Sequence, residues 1–131
     1  KVEHVIVCGR YGCGGVQAAL EGMRRGLVAN WQVTVGDVLQ KHRGLVEALE
    51  QPSLRHARLC ELNVIEQVLN LCQTTVVQDA WDRGQPLAVH AWLYSLHDRR
   101  ARELGDGVAS RDALAATYAQ ALAQLTRPLE P

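Results

Sequence analysis

Apolar residues dominate the first stretch, Val2-Glu-His-Val-Ile-Val-Cys8, and that near-continuous run predicts a strand over 2–8 covered on both faces, as in a parallel sheet. Glycines crowd residues 9–15, which reads as a tight loop. From Val16 the segment Val-Gln-Ala-Ala-Leu-Glu-Gly-Met-Arg-Arg suits a short helix, stopped by Gly26 after Arg24 and Arg25 place positive charge near its C-terminal carbonyls. Residues 30–50 predict a second helix on the spacing of Trp31, Val35, Val38, Leu39, Leu45, Val46 and Leu49, weakened by Gly36 and Gly44 and ended by Pro52.

From Ser53 a long helix is expected, because Leu62, Ile65, Leu69, Cys72 and Val76 recur at three- and four-residue steps with Val64, Val68 and Leu71 beside them. An apolar arc that wide predicts burial against more than one neighbour. Gly84 ends this helix, and residues 86–94 form the second clear strand, with Pro86 tolerated at its start. Asp98-Arg99-Arg100 reads as a solvated turn, with a small recognition patch as the alternative. Ser110 is placed as the N-cap of a last helix running to about Leu125, and Pro128 and Pro131 close the chain. Helices alternating with two buried strands predict a single α/β domain over 1–131, a parallel sheet flanked by helices with 2–8 and 86–94 as parallel neighbours.

Composition narrows the function classes. Fourteen basic residues balance fourteen acidic ones in 131 residues, so no basic field exists to hold nucleic acid and no polybasic strip to hold a membrane surface. No apolar run approaches the roughly 20 residues of a membrane span, and no secretory signal opens the chain. Cys8, Cys13, Cys60 and Cys72 lie among apolar neighbours without paired C-x-x-C units, which favours reduced, buried thiols and a cytoplasmic setting.

The glycine-rich turn carries the candidate chemistry. Gly9, Gly12, Gly14 and Gly15 permit positive φ and close backbone approach, and the helix that follows leaves unpaired amides facing the loop. Two nucleotide readings fail on spacing, since Gly15-Val16 stands where a P-loop needs Lys-Ser/Thr and Gln17 stands at the last glycine of G-x-G-x-x-G. Arg10 with the amides of Gly12, Gly14 and Gly15 suits an oxyanion such as bicarbonate, and reads equally as a surface or ion-paired arginine. Cys13 is a candidate metal ligand or a packing residue. Cys8 lies close enough in sequence to join it, but supplies only a second donor. His4, His42, His56 and His97 form no H-x-x-H spacing, His90 reads as a satisfied core histidine, and Trp31, Trp81 and Trp92 read as core or interface filling.

Cys13-Gly14-Gly15 resembles the H-x-x-C-G-G segment of the β-class carbonic anhydrases, Glu61-x-Asn63-Val64 resembles the E-x-N-V segment of that family, and Val89-His-Ala-Trp-Leu-Tyr94 resembles its V-H-G-W-x-Y strand. The resemblance covers the later part of a family member. It implies a zinc-dependent lyase that hydrates CO2 to bicarbonate, with Cys13 as one zinc ligand and His90 as a non-ligand. Two departures stand against it. Arg10 occupies the position of the ligand histidine, and guanidinium has no lone pair to offer a metal. The C-x-D-S-R segment, which brings the family's other cysteine ligand, has no match. Catalytic zinc needs about three protein ligands and an open position, so the zinc implied by resemblance is not expected on this chain alone.

Three readings follow. The chain is a metal-free homologue acting in assembly or anion binding, or the later part of a working carbonic anhydrase, or a structural subunit packed on a complete homologue. The family's first strands have no counterpart here, which leaves 2–8 as an apolar sheet edge and predicts a homodimer or a heteromer with a carbonic anhydrase homologue.

Overall fold

The computed structural model of the chain describes the backbone of residues 1–22 and 28–125 and the side chains of 1–22 and 34–125. The readings of Arg24, Arg25, Gly26, Pro128 and Pro131, and of the Trp31 side chain, lie outside the described residues.

Three strands form one sheet in the order β1-β2-β3, with β1 at His4–Arg10, β2 at Ala88–Ser95 and β3 at Arg100–Glu103. β1 and β2 are parallel, as the two apolar runs predict, in a register that sets His4 beside Ala88 and Arg10 beside Tyr94. β1 is shifted two residues from the expected 2–8, because Gly9 and Arg10 continue the ladder. β3 runs antiparallel to β2, where the polar Arg-Ala-Arg-Glu sequence predicts only the end of a turn. Asp98 makes that hairpin: its carboxylate accepts from the Arg100 amide at 3.0 Å and pairs with Arg102, while Arg99 takes the left-handed conformation at φ 59°.

Among the described residues the sheet is covered on one face, not two. Val89, Ala91 and Leu93 are buried, and the alternate positions His4, Ile6, Cys8 and Arg10 are exposed, Ile6 to 45%. A run of consecutive apolar residues suggests two-sided burial, yet period-two alternation sends Ile6 and Cys8 to the open side. Cys8 is accordingly an exposed thiol, against the expectation that the cysteines are buried, while Cys60 and Cys72 are buried.

The helices are α1 at Gly14–Leu20, α2 at Val28–Lys41, α3 at Arg43–Glu47, α4 at Pro52–Cys72, α5 at Thr75–Asp82 and α6 at Leu114–Gln124. α1 ends six residues before Gly26, with Gly22 in the left-handed conformation that closes a helix. The helix expected over 30–50 is broken at His42, which leaves helical backbone at φ -115°. The long helix from Ser53 also divides, because Thr74 accepts the Val77 amide and donates to the Leu71 carbonyl, starting a new helix. This change of phase leaves Val76 77% exposed. Ser110 caps a turn by accepting from the Ala113 amide, one turn ahead of α6.

α4 is the centre of the fold, as its wide apolar arc predicts: it touches β1, β2 and the other five helices. Leu59, Cys60, Leu62, Val64, Ile65, Val68 and Cys72 are all buried on it. Trp81 packs against this core and donates its indole N–H to the Leu87 carbonyl at 2.9 Å.

One polar cluster joins α2, α4 and α6. Glu66 is 5% exposed and accepts from Lys41 Nζ at 3.1 Å, from His42 Nε2 at 2.6 Å and from the Tyr118 hydroxyl. Burial opposes the charge on Glu66, but these three donors more than offset it and hold the carboxyl below its ordinary range. A carboxyl lowered on folding stabilises above its unfolded value, and that stability is lost as pH falls through the folded value. Glu66→Gln is expected to cost about 2 kcal/mol at neutral pH. In denaturant melts the gap between native and variant should close on acidification, and a gap independent of pH would contradict the assignment.

Candidate functional site

The end of β1 and the turn into α1 are set by contacts from below. A Cβ added to Gly9 would lie 2.3 Å from Val64 Cγ2, so only glycine lets the strand approach α4 this closely. The Tyr11 amide donates to the Tyr94 carbonyl at 3.0 Å and prolongs the ladder by one bond. Gly12 then reverses the chain at φ 73°, a conformation that costs a side chain about 1 kcal/mol or more. The Cys13 carbonyl accepts both from the Gln17 amide at 3.1 Å and from His56 Nε2 at 2.9 Å, which ties the start of α1 to α4.

Beneath the turn lies a buried polar group. The Tyr11 hydroxyl donates to Glu61 Oε2 at 2.7 Å, and Arg58 Nε stands 3.3 Å from Glu61 Oε1. Burial pushes the Glu61 carboxyl up, while Tyr11 and Arg58 draw it back. Burial and the bond to Glu61 also push the Tyr11 phenol well up, so it remains a donor. Burial raises the Cys60 thiol to about 11, against the pull of the Cys13 and Gly12 backbone. That thiol is a packing group, not a nucleophile.

The residues singled out in sequence are distributed over two sides of the sheet. Successive strand residues point to opposite faces, so Arg10 stands on the open face with His4, Ile6 and Cys8 while Tyr11 turns toward α4. Among the described residues the Arg10 side chain makes no hydrogen bond or ion pair. Gly12 lines a groove of about 770 Å3 with Tyr11, His56, Glu61, Asp98 and Arg102. Gly14 and Gly15 open α1, and a Cβ on Gly14 would meet nothing within 4 Å, so that side of the turn is accessible. Cys13 is half-buried at the edge of the core. His90 is not a core histidine: it lies on the open face, bonded to Glu103 and His4. Trp92 shares that face, and its indole nitrogen is buried with no hydrogen-bond partner among the described residues.

The turn does not fit a catalytic zinc. Cys13 is the only thiol, imidazole or carboxylate within residues 10–15, and among the described residues no three His, Cys, Asp or Glu side chains come together as a metal site. Tyr11, His56 and Arg58 are not legible as site residues, because the Tyr11–Glu61 and His56–Cys13 bonds join the turn to α4 across more than forty residues and Arg58 enters only through Glu61. Glu61 was marked by the E-x-N-V pattern alone.

A family model described as carbonic anhydrase matches residues 1–101. The carbonic anhydrase of Emericella nidulans is 39% identical over 104 residues, 79% of this chain and 46% of that protein. The carbonic anhydrase of Candida albicans is 38% identical over 73 residues, 54% of this chain and 26% of that protein. Among solved structures, the Coccomyxa β-carbonic anhydrase in complex with acetazolamide has a TM-score of 0.80 at 31% identity, covering 98% of this chain and 60% of that one. One of two tetrameric β-carbonic anhydrases from Sordaria macrospora has a TM-score of 0.74 at 31% identity, covering 83% of this chain and 55% of that one. The chain spans less than half the length of these two curated relatives.

The network under the turn predicts an energetic coupling. Tyr11→Phe leaves a buried carboxylate oxygen without its donor and is expected to cost about 1–3 kcal/mol. In a double-mutant cycle with Glu61→Gln, denaturant unfolding should return an interaction of about 1 kcal/mol or more. Additive losses would show that the two side chains do not act together.

Proposed function

Because this chain belongs to the β-carbonic anhydrase family, we propose that its Arg10–Gly15 turn is a metal-free form of the family's zinc site, and that the chain alone binds a small oxyanion rather than hydrating CO2. One observation carries this reading: at the position of the ligand histidine stands Arg10, on the open face and without a side-chain partner among the described residues. A guanidinium presents parallel N–H donors that match the two oxygens of a carboxylate-like anion. The amides that open α1 at Gly14 and Gly15 are the donors the turn can add, whereas the Gly12 backbone faces the Cys60 thiol, and bicarbonate is the anion the family's chemistry favours. Arg10 holds and orients the anion, and no residue of the turn activates water in its place.

The same reading assigns a partner. β1 is a sheet edge with unpaired N–H and C=O groups and an exposed Ile6, a surface suited to a second copy or to another carbonic anhydrase chain. The description of the Sordaria macrospora relatives as tetrameric supports an oligomer. No described helix is long and apolar enough to cross a membrane, and the free thiols of Cys8, Cys13, Cys60 and Cys72 support a cytoplasmic setting.

A second reading rests on coverage. The chain corresponds to 46% of the Emericella nidulans protein, so it would be the later part of a working enzyme whose remaining ligands lie in other sequence. Binding and turnover separate the two readings. Bicarbonate titrated by calorimetry into the chain should bind, and Arg10→Gln should weaken that binding by about tenfold, the loss of one charge-assisted contact. Stopped-flow CO2 hydration should stay at the buffer rate. Hydration above that rate, or bicarbonate binding indifferent to Arg10→Gln, would overturn the first reading.

A further inference from the structure

On the open face, away from the turn, three side chains form one line across all three strands. His4 Nδ1 on β1 lies 3.0 Å from His90 Nε2 on β2, and His90 Nδ1 lies 2.5 Å from Glu103 Oε1 on β3. The two imidazole rings are 5.2 Å apart between centroids. Chemistry gives this line a direction. A carboxylate only accepts, so Nδ1 of His90 carries the proton; in the neutral ring Nε2 is then an acceptor, and Nδ1 of His4 must donate to it.

The segment after β3 holds the middle ring in place. A Cβ on Gly107 would lie 2.6 Å from Cε1 of His90 and 2.7 Å from Nδ1, so only glycine leaves room for the ring where it reaches Glu103. Glycine at 107 is not needed for a turn, since its φ is not in the left-handed range. Its requirement is the imidazole.

We propose that His4, His90 and Glu103 form a proton-sensitive clasp that fastens the start of the edge strand β1 to the centre of the sheet. Counting protons shows why. With both rings neutral the line is complete. One added proton makes His90 an imidazolium between the Glu103 carboxylate and His4; its Nε2–H now donates, and His4 accepts at Nδ1 with its own proton on Nε2. A second added proton puts N–H against N–H and cation against cation, and the 3.0 Å contact cannot survive. Glu3 is the charged group next to His4 in the chain, and the register sets His90 beside Ile6 and Glu103 beside Trp92; among the described residues the two rings make hydrogen bonds or ion pairs only to each other and to Glu103.

The consequence is local. The residues just before β1 are held by the Glu3 carbonyl, which accepts from the Ala88 amide at 2.9 Å, and by the Val2 carbonyl, which accepts from Gln85 Nε2 at 3.0 Å. Opening the clasp in acid frees this end of an edge strand first. No group of the clasp lies within residues 10–15, although Glu103 also lines the groove beside Tyr11 and Gly12.

Two measurements on the full chain test it. In the native protein at about pH 7.5, nitrogen chemical shifts of the imidazoles should report protonated Nδ1 on both His4 and His90; the Nε2–H tautomer on His90 would overturn the proposal without any variant. Hydrogen exchange, expressed as protection of residues 2–8 relative to α4, should fall about tenfold between about pH 7.5 and pH 5 in the native chain. In His4→Gln and in Gly107→Ala that ratio should not change over the same interval. An equal fall in the variants, or none in the native chain, would show that the three side chains do not fasten the strand.

Discussion

The structure depends on how closely α4 can lie against β1. At Gly9 the strand has no side chain, and Val64 of α4 fills the space a Cβ would need. That approach sets the depth of the helix under the sheet, and the rest follows from it. Glu61, one helical turn before Val64, comes under Tyr11; Cys60 comes under the backbone of Gly12 and Cys13; His56, one further turn back, reaches the Cys13 carbonyl. The turn is therefore shaped by a helix that follows it by some forty residues. Packing at this density leaves no slack for a larger residue at position 9.

Much of this fold is legible in the sequence because it rests on burial. The two apolar runs give the parallel strands, and the three- and four-residue recurrence from Leu62 to Cys72 gives the central helix. What was not legible rests on single side chains. The break at His42 is made by an imidazole that reaches Glu66, and the break at Thr74 by one hydroxyl. β3 has no apolar residue larger than alanine, so its pairing comes from the Asp98 hairpin and from the free edge of β2. The open face is not legible locally because Val5, Ile6 and Val7 are alike in polarity although alternation places Ile6 outside. The glycine turn was visible as a motif, but the buried Tyr11, Glu61 and Arg58 group under it requires contacts that no local pattern contains.

The same alternation separates the chemistry. Odd positions of β1 serve the core and continue into Tyr11 and the groove, whereas even positions serve the open face and end on Arg10. Arginine at position 10 puts a fixed positive charge three residues before the half-buried Cys13. A cation there repels a dication and attracts an anion.

Metal content tests the central claim most directly. Purified chain equilibrated with a slight excess of zinc and then freed of unbound metal by gel filtration should retain far less than one zinc per chain by elemental analysis, since catalytic zinc takes about three protein ligands and Cys13 is the only donor in the turn. Retention of about one zinc per chain, lost on Cys13→Ser, would contradict the account and place the chain's own residues in a working metal site.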